Sequence, residues 1–311
     1  MTDYGKLSVS NLTSIAELKT DDVHTIFGVA AEMKRNRSSF PKVLQDKRLA
    51  MLFEKESLRT RVTFEVGMQD LGGTAVFLDH QEVRLGTREA LKDVAGNLSR
   101  WCHGIVARTF RHRTVQDLAN GASIPVINGL TDYLHPCQGL TDMFTLAEIW
   151  GDTEGKKVAF VGDGNNTCHS LMHAATLLGC DVRVASPEGY EPNSKVVNYA
   201  MRLAGEMGTE ITIIDDPRQA VEGVDCIYTD VWASMGREEE TEERAEIFAE
   251  YRVTEELMGL ANADAVFLHC LPAHRGMEVV TEVLDGPKSY VLENAENRLH
   301  VQKAVMALLM G

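Results

Sequence analysis

Ser57-Leu58-Arg59-Thr60-Arg61 places two arginines and two hydroxyls within five residues, where an apolar strand should run into a helix. Leu49 to Phe53 is short and apolar, as a buried strand would be. Val62, Phe64, Val66, Met68 and Leu71 supply apolar positions for the helix that follows. The first N–H groups of a helix have no intrahelical partner and sit at the positive end of its dipole, so this junction favours an anion. Arginine adds a planar fork that matches phosphate oxygens two at a time. A plainer reading makes Ser57 an ordinary N-cap on a surface helix.

Further elements are needed to position such a junction. Asp21 to Asn36, Arg88 to Arg100, Val115 to Gly121 and Cys137 to Trp150 have helical patterns, and Thr74 to Asp79, Gly104 to Arg108 and Pro125 to Leu130 read as strands. The second half alternates more cleanly. Lys157 to Val161, Asp181 to Ala185, Ile211 to Ile214, Asp225 to Thr229 and Ala265 to His269 read as buried strands, with helices at Ser170 to Leu178, Ser194 to Met207 and Pro217 to Val221. Strands alternating with helices imply parallel sheets built from βαβ units. The chain therefore reads as an α/β protein of two domains, joined near the Cys137 helix.

Ligands of parallel sheets bind beyond the carboxyl ends of the strands. The polar residues there are Arg108; His135, Gln138 and Asp142; Gly162-Asp163-Gly164-Asn165-Asn166; Asp230 in Asp230-Val-Trp-Ala-Ser234-Met235-Gly236; and Cys270 in His269-Cys-Leu271-Pro-Ala-His274-Arg275-Gly276. Arg298 follows in Glu293-Asn-Ala-Glu-Asn-Arg298.

The 311 residues are 44% hydrophobic and 25% charged, as expected of a water-soluble globular chain. No apolar run reaches the roughly 20 residues a membrane span requires, and the first residues lack the pattern of a secretory signal. The six cysteines are scattered without a Cys-x-x-Cys pair, which predicts reduced thiols and a cytoplasmic location. A net charge of −15 argues against nucleic acid as a partner. An anionic substrate would need a local cationic pocket.

As a set, Phe53-x-Lys55-x-Ser57-x-Arg59-Thr60-Arg61, His135-Pro136-Cys137-Gln138, Asp230-x-x-x-Ser234-Met235-Gly236 and His269-Cys270-Leu271-Pro272-Ala273 resemble the carbamoyltransferase family, over about Leu49 to Gln302. The last two resemble its ornithine branch. The resemblance implies two domains, each a mostly parallel sheet flanked by helices. Residues 1–143 would bind carbamoyl phosphate and 144–291 ornithine, with 292–311 packing back on the first domain. It gives Ser57, Leu58, Arg59, Thr60 and Arg108 to the phosphate, and Thr60, Arg108 and His135 to the carbamoyl oxygen. Gln138 would accept from the carbamoyl amide, Arg298 would reach the same anion, and Cys270 and Leu271 would complete that site. Asn166 and the backbone near Met235 would take the ornithine carboxylate, and Asp230 and Ser234 the α-amine. Asp230, Cys270 and the Leu271 carbonyl would orient the side-chain amine. The catalytic residues would be Arg59, Arg108, His135 and Cys270. The implied reaction yields citrulline and phosphate in arginine biosynthesis. It uses no metal, covalent intermediate or organic cofactor, and a homotrimer or a multiple of trimers is expected.

Leu58 stands where many relatives have threonine, a small loss if that position contributes its backbone N–H. Arg84 stands in a loop that in relatives reaches a neighbouring subunit's active site. It either adds a cation to that phosphate or is a solvated loop arginine.

Rival readings use the same residues. Gly162-Asp-Gly164 after a strand suggests a dinucleotide fingerprint, but Thr167 stands where the third glycine belongs. His169 and His173 have the i, i+4 spacing of zinc ligands without an evident third ligand. Cys270 next to His269 suggests a nucleophile and base, but neighbouring strand residues face opposite ways. His274 and Arg275 read either as part of a loop closing over ornithine or as a structural contact. The acidic run from Glu238 to Glu243 reads as a solvated face. A sister enzyme acting on putrescine, acetylornithine or aspartate remains open, as does a non-catalytic relative, although the latter would be expected to lose Arg59, Arg108, His135 or Cys270.

Overall fold

The apolar runs form strands and the amphipathic runs form the helices between them. The computed structural model describes residues 5–37, 39–79, 86, 88–233 and 241–311. The chain divides into two compact units, Met1–Phe144 with Glu296–Gly311, and Thr145–Ala295.

In the first unit, α1 (Thr20–Arg35) precedes β1 (Arg48–Phe53), α2 (Leu58–Asp70), β2 (Thr74–Asp79), α3 (Leu91–Trp101), β3 (Gly104–Arg108), α4 (His112–Gly121) and β4 (Val126–Leu130). All strand pairs are parallel, in the order β2-β1-β3-β4. Helix α5 (Pro136–Trp150) carries the chain into the second unit. There β5 (Lys157–Val161), α6 (Asn166–Leu177), β6 (Asp181–Ala185), α7 (Ser194–Met207), β7 (Ile211–Ile214), α8 (Pro217–Val221), β8 (Cys226–Thr229), α9 (Thr241–Ile247), α10 (Glu255–Met258), β9 (Val266–His269) and α11 (Thr281–Leu284) follow. This sheet is also parallel, in the order β7-β6-β5-β8-β9. Helix α12 (Val291–Met310) returns the chain, and its residues from Glu296 onward belong to the first unit. Among the described residues no helix is long and apolar enough to cross a membrane.

Buried parallel strands read as continuous apolar runs, and every expected strand forms within a residue of its expected bounds. Helix starts were less legible. Helix α6 begins at Asn166, four residues before the expected Ser170, because Asn165 caps it: its side chain accepts from the N–H groups of Thr167 and Cys168.

Each sheet has one place where the strand order reverses. In the first unit the chain goes from β1 to β2 on one side and then to β3 on the other; in the second it runs outward through β6 and β7 before returning to β8. Crevices at such reversals are where open α/β sheets bind ligands. Ser57 and Arg108 follow β1 and β3, while Asn165 and Asp230 follow β5 and β8.

Candidate active site

Ser57 caps α2 by accepting from the Thr60 N–H at 3.1 Å. The plainer reading is therefore correct for its side chain, and the cap presents the free N–H groups of the first turn. Leu58, the first residue of α2, is 74% exposed. Thr60 is buried, and its hydroxyl accepts from Arg298 Nη2 at 3.1 Å and Arg108 Nη1 at 3.5 Å. Arg298 also donates to Gln138 Oε1, while Gln138 Nε2 donates to Asp142 Oδ1 at 2.6 Å. One buried network thus joins α2, β3, α5 and α12 around the β1/β3 reversal.

Two backbone features aim these groups. The β3–β4 register shifts between Ala107 and Arg108, so that Ala107 pairs with Asn128 and Arg108 with Leu130. A bulge of this kind redirects a side chain at the end of a strand. On the other side, Gly67 lets α12 lie against α2: a Cβ there would come within 2.8 Å of Met306 and 3.0 Å of Lys303. Lys303 pairs with Asp70 at 2.9 Å, which fixes the same contact and with it the height of Arg298.

His135, the residue before α5, is buried in this network. Burial, and then the charges of Arg298, Arg108 and Arg59, hold it well below the ordinary imidazole value. It is therefore a neutral ring, with one N–H to donate and no positive charge to add. Its depression also registers the field of three arginines converging where an anion would gain most.

In the second unit, Asp230 is buried after β8 and is held by three donors. Oδ1 accepts from its own chain at Val231 N–H (2.8 Å) and from Cys270 Sγ (3.0 Å), and Oδ2 accepts from Asn165 Nδ2 (2.9 Å). Cys270 is thus a donor to a carboxylate. Asp230, His269 and Cys270 offer ligand atoms all within 4.8 Å of one another. A set of this type suits a zinc-like ion; in it His269 Nδ1 accepts from Leu271 N–H at 2.8 Å, and Nε2 lies 3.3 Å from the buried Glu278. His269 thereby bonds the backbone N–H of Leu271, which has a positive φ of 57° just after β9.

The structure brings Arg59, Thr60, Arg108, His135, Gln138 and Arg298 to one end of the first sheet, and Asn166, Asp230, Cys270 and Leu271 to the corresponding end of the second. Arg61 departs from expectation: it pairs with Glu65 at 3.1 Å and lies 3.7 Å from the centre of the Phe77 ring, away from the cap. Arg84, Ser234 and Met235 lie outside the described residues. Gly164 leaves no room for a side chain, because a Cβ would come within 2.2 Å of the Pro192 backbone; its neighbour across that gap is the protein's own loop. His169 accepts from Asn193 N–H at 3.0 Å, and His173 packs beside the Tyr199 ring at 4.8 Å. Arg275 pairs with Asp285 at 2.7 Å.

Sequence reasoning named Asn165 at a strand end without a role, and missed Glu278 and Arg244. Arg244 directly follows the acidic run yet is buried. It donates to Asp163 Oδ2 at 2.9 Å and to the Trp232 carbonyl at 2.6 Å, tying the loop after β5 to the loop after β8. A lone arginine closing an acidic stretch was the available signal.

Two sequence models of one family match nearly all of the chain: the carbamoyl-P binding domain of aspartate/ornithine carbamoyltransferase over residues 10–148, and its Asp/Orn binding domain over 154–309. The chain belongs to the aspartate/ornithine carbamoyltransferase family. It is 50% identical over 307 residues to a protein from Thermococcus kodakarensis named ornithine carbamoyltransferase, with 98% of each chain covered. To a Pyrococcus furiosus protein named ornithine carbamoyltransferase, anabolic, it is 48% identical over 307 residues, again with 98% of each covered. The solved ornithine carbamoyltransferase from Pyrococcus furiosus superposes with a TM-score of 0.94 at 49% identity, covering 97% of both chains. The family's Asp/Orn domain extends through most of α12, whereas here Glu296–Gly311 packs with the first unit. The carbamoyltransferase fold thus takes Arg298 from the far end of the sequence to the β1/β3 reversal.

Proposed function

We infer that this protein is an ornithine carbamoyltransferase, transferring the carbamoyl group of carbamoyl phosphate to the side-chain amine of L-ornithine to give L-citrulline and phosphate. The observation that carries this reading is the buried network in which Arg298 and Arg108 converge on Thr60 at the capped end of α2. It is an anion site built from groups that also suit an acyl phosphate. The full-length relatives supply the second substrate.

In this reading the phosphate lies on the first turn of α2, against Ser57, the Leu58 and Arg59 backbone, Arg108 and Arg298. Thr60, Arg108 and the N–H of neutral His135 point at the carbamoyl oxygen. Arg298 moves from Gln138 to the anion, which frees Gln138 Oε1 to accept from the carbamoyl amide. The ornithine nitrogen attacks the carbamoyl carbon, the C–O bond to phosphate breaks, and the nitrogen gives up its proton to the departing phosphate. Charge grows on the carbonyl oxygen in the intermediate, and losing one donor there costs about 3 kcal/mol. Holding both substrates in line supplies a large share of the rest.

Asp230 takes the α-amine with Ser234, Asn166 and the Met235 backbone take the carboxylate, and Cys270 with the Leu271 carbonyl orients the side-chain amine. That amine resembles lysine, with a solution pKa of about 10.4, so it must lose a proton before attack and activity should rise on the alkaline side. The anabolic name of a close relative supports a role in arginine biosynthesis, and consumption of an acyl phosphate favours that direction. A trimeric assembly, in which Arg84 reaches a neighbouring site, is part of the proposal. Leu58, Val62 and Val76 are exposed apolar residues of the first unit that such an assembly would cover. A cytoplasmic location fits the free cysteines.

A citrulline assay with carbamoyl phosphate tests the reading. Ornithine should support turnover while putrescine, acetylornithine, lysine and aspartate do not. Turnover with another amine would keep the anion site and discard the ornithine pocket, and silence with all of them would discard the enzyme.

A further inference from the structure

Asn165 lies between two features of the second unit that the proposed reaction keeps apart: the start of α6 and the carboxylate of Asp230. Its side-chain oxygen is used twice, accepting from Thr167 N–H at 2.9 Å and Cys168 N–H at 3.1 Å. Those two bonds fix which way the amide faces, because an acceptor is required on that side. The amide nitrogen is thereby turned to Asp230 Oδ2, at 2.9 Å. No other side chain of similar size does both. Aspartate and serine cap helices well, but aspartate has no proton to give at neutral pH and serine is too short to span both partners.

The remaining capacity of Asp230 gives this contact a direction. A carboxylate oxygen has about two acceptor positions. Among the described residues, Oδ1 has both filled, by Val231 N–H and Cys270 Sγ, whereas Oδ2 accepts from Asn165 alone. The open position is therefore on Oδ2, beside the Asn165 amide.

We propose that Asn165 is a positioning residue for the amino-acid substrate, using the cap of α6 to aim Asp230 Oδ2 at the substrate ammonium group. This deepens the ornithine reading and rests on it. The α6 N-terminus and the acceptor for the amine then share one residue, so the carboxylate that receives the substrate cannot rotate without losing its bond to the side chain that caps the helix.

The test uses the full-length enzyme with Asn165→Ser and Asn165→Asp. Both keep a capping oxygen, so melting temperatures should stay close to the parent. A purely structural role makes aspartate at least as good as serine, since a negative charge suits a helix N-terminus. The proposal predicts the reverse. Asn165→Ser should lower kcat/KM for ornithine by roughly tenfold to a hundredfold, the usual worth of a hydrogen bond to a charged group, with KM for carbamoyl phosphate unchanged. Asn165→Asp should lose more at neutral pH, because two carboxylates then face each other, and its deficit relative to the parent should shrink as pH falls and one of them takes up a proton. The other titratable groups near this pair are Cys168, Cys270, His269 and Asp163, the last held by Arg244. Serine-variant kinetics equal to the parent, or an aspartate variant better than the serine one, would overturn the proposal while leaving ornithine turnover by the parent enzyme intact. Failure of the parent to use ornithine would instead remove the reading beneath it.

Discussion

The two units solve the same positional problem with opposite charge. Each is a parallel sheet whose order reverses once, and each carries its candidate site residues just beyond that reversal. In the first, buried guanidinium groups of Arg108 and Arg298 meet on Thr60 with the neutral His135 beside them. In the second, a buried carboxylate, Asp230, collects three donors and, among the described residues, no cation. The scaffold decides where a ligand binds, and a few residues at strand ends decide its charge. A chain with net charge −15 can still attract a doubly negative substrate, because the field that matters is assembled locally from three arginines.

If the units divide the work in this way, damage should divide too. Arg59→Gly removes one cation from the first cluster. It should lower kcat on the order of a thousandfold and raise KM for carbamoyl phosphate, while ornithine affinity changes little. Equal damage to both substrates in steady-state kinetics would break the comparison. Asp230→Asn should have the mirror effect at smaller size: kcat/KM for ornithine down roughly a hundredfold and KM for carbamoyl phosphate unchanged. Intact ornithine kinetics would mean that the second cluster is misassigned. The smallest effect concerns stability. Burial lowers His173 to about 4, against an ordinary value near 6.5. As pH falls, the unfolded chain binds that proton first, so stability present above about pH 6.5 is lost progressively down to about pH 4. The loss should be on the order of 3 kcal/mol. His173→Leu should flatten that slope in urea denaturation measured across this range, and an unchanged slope would count against a neutral buried ring.

The strands were legible because residues buried on both faces of a sheet leave an unbroken apolar run, as in Val158 to Val161. Strand order was not: sequence gives alternation, and the reversals that locate both clusters appear only when β3 is seen on the far side of β1 and β8 on the far side of β5. Arg59, Arg108, His135 and Arg298 could be named from strand ends and motif order. Their partners could not, since Gln138 meets Arg298 across 160 positions of sequence. Arg61 shows the opposite failure. It shares the motif, but one residue past Thr60 on a helix is a turn of about 100°, enough to carry it to Phe77 and Glu65. The role of Asn165 stayed hidden because a cap followed by Asn-Thr-Cys-His looks like loop until its two N–H donors are located.

The return of α12 has a consequence for the order in which the protein can be made. Arg298 is translated after every residue of the second unit, yet it belongs to the first. A ribosome therefore delivers β1 to β4 early, then the whole of the inserted unit, and only afterwards the guanidinium that joins Thr60 to Gln138. Until then Gly67 faces an empty groove on α2 where Met306 will sit. The first unit therefore has that surface uncovered until the residues of the second, a continuous segment, have all been synthesised.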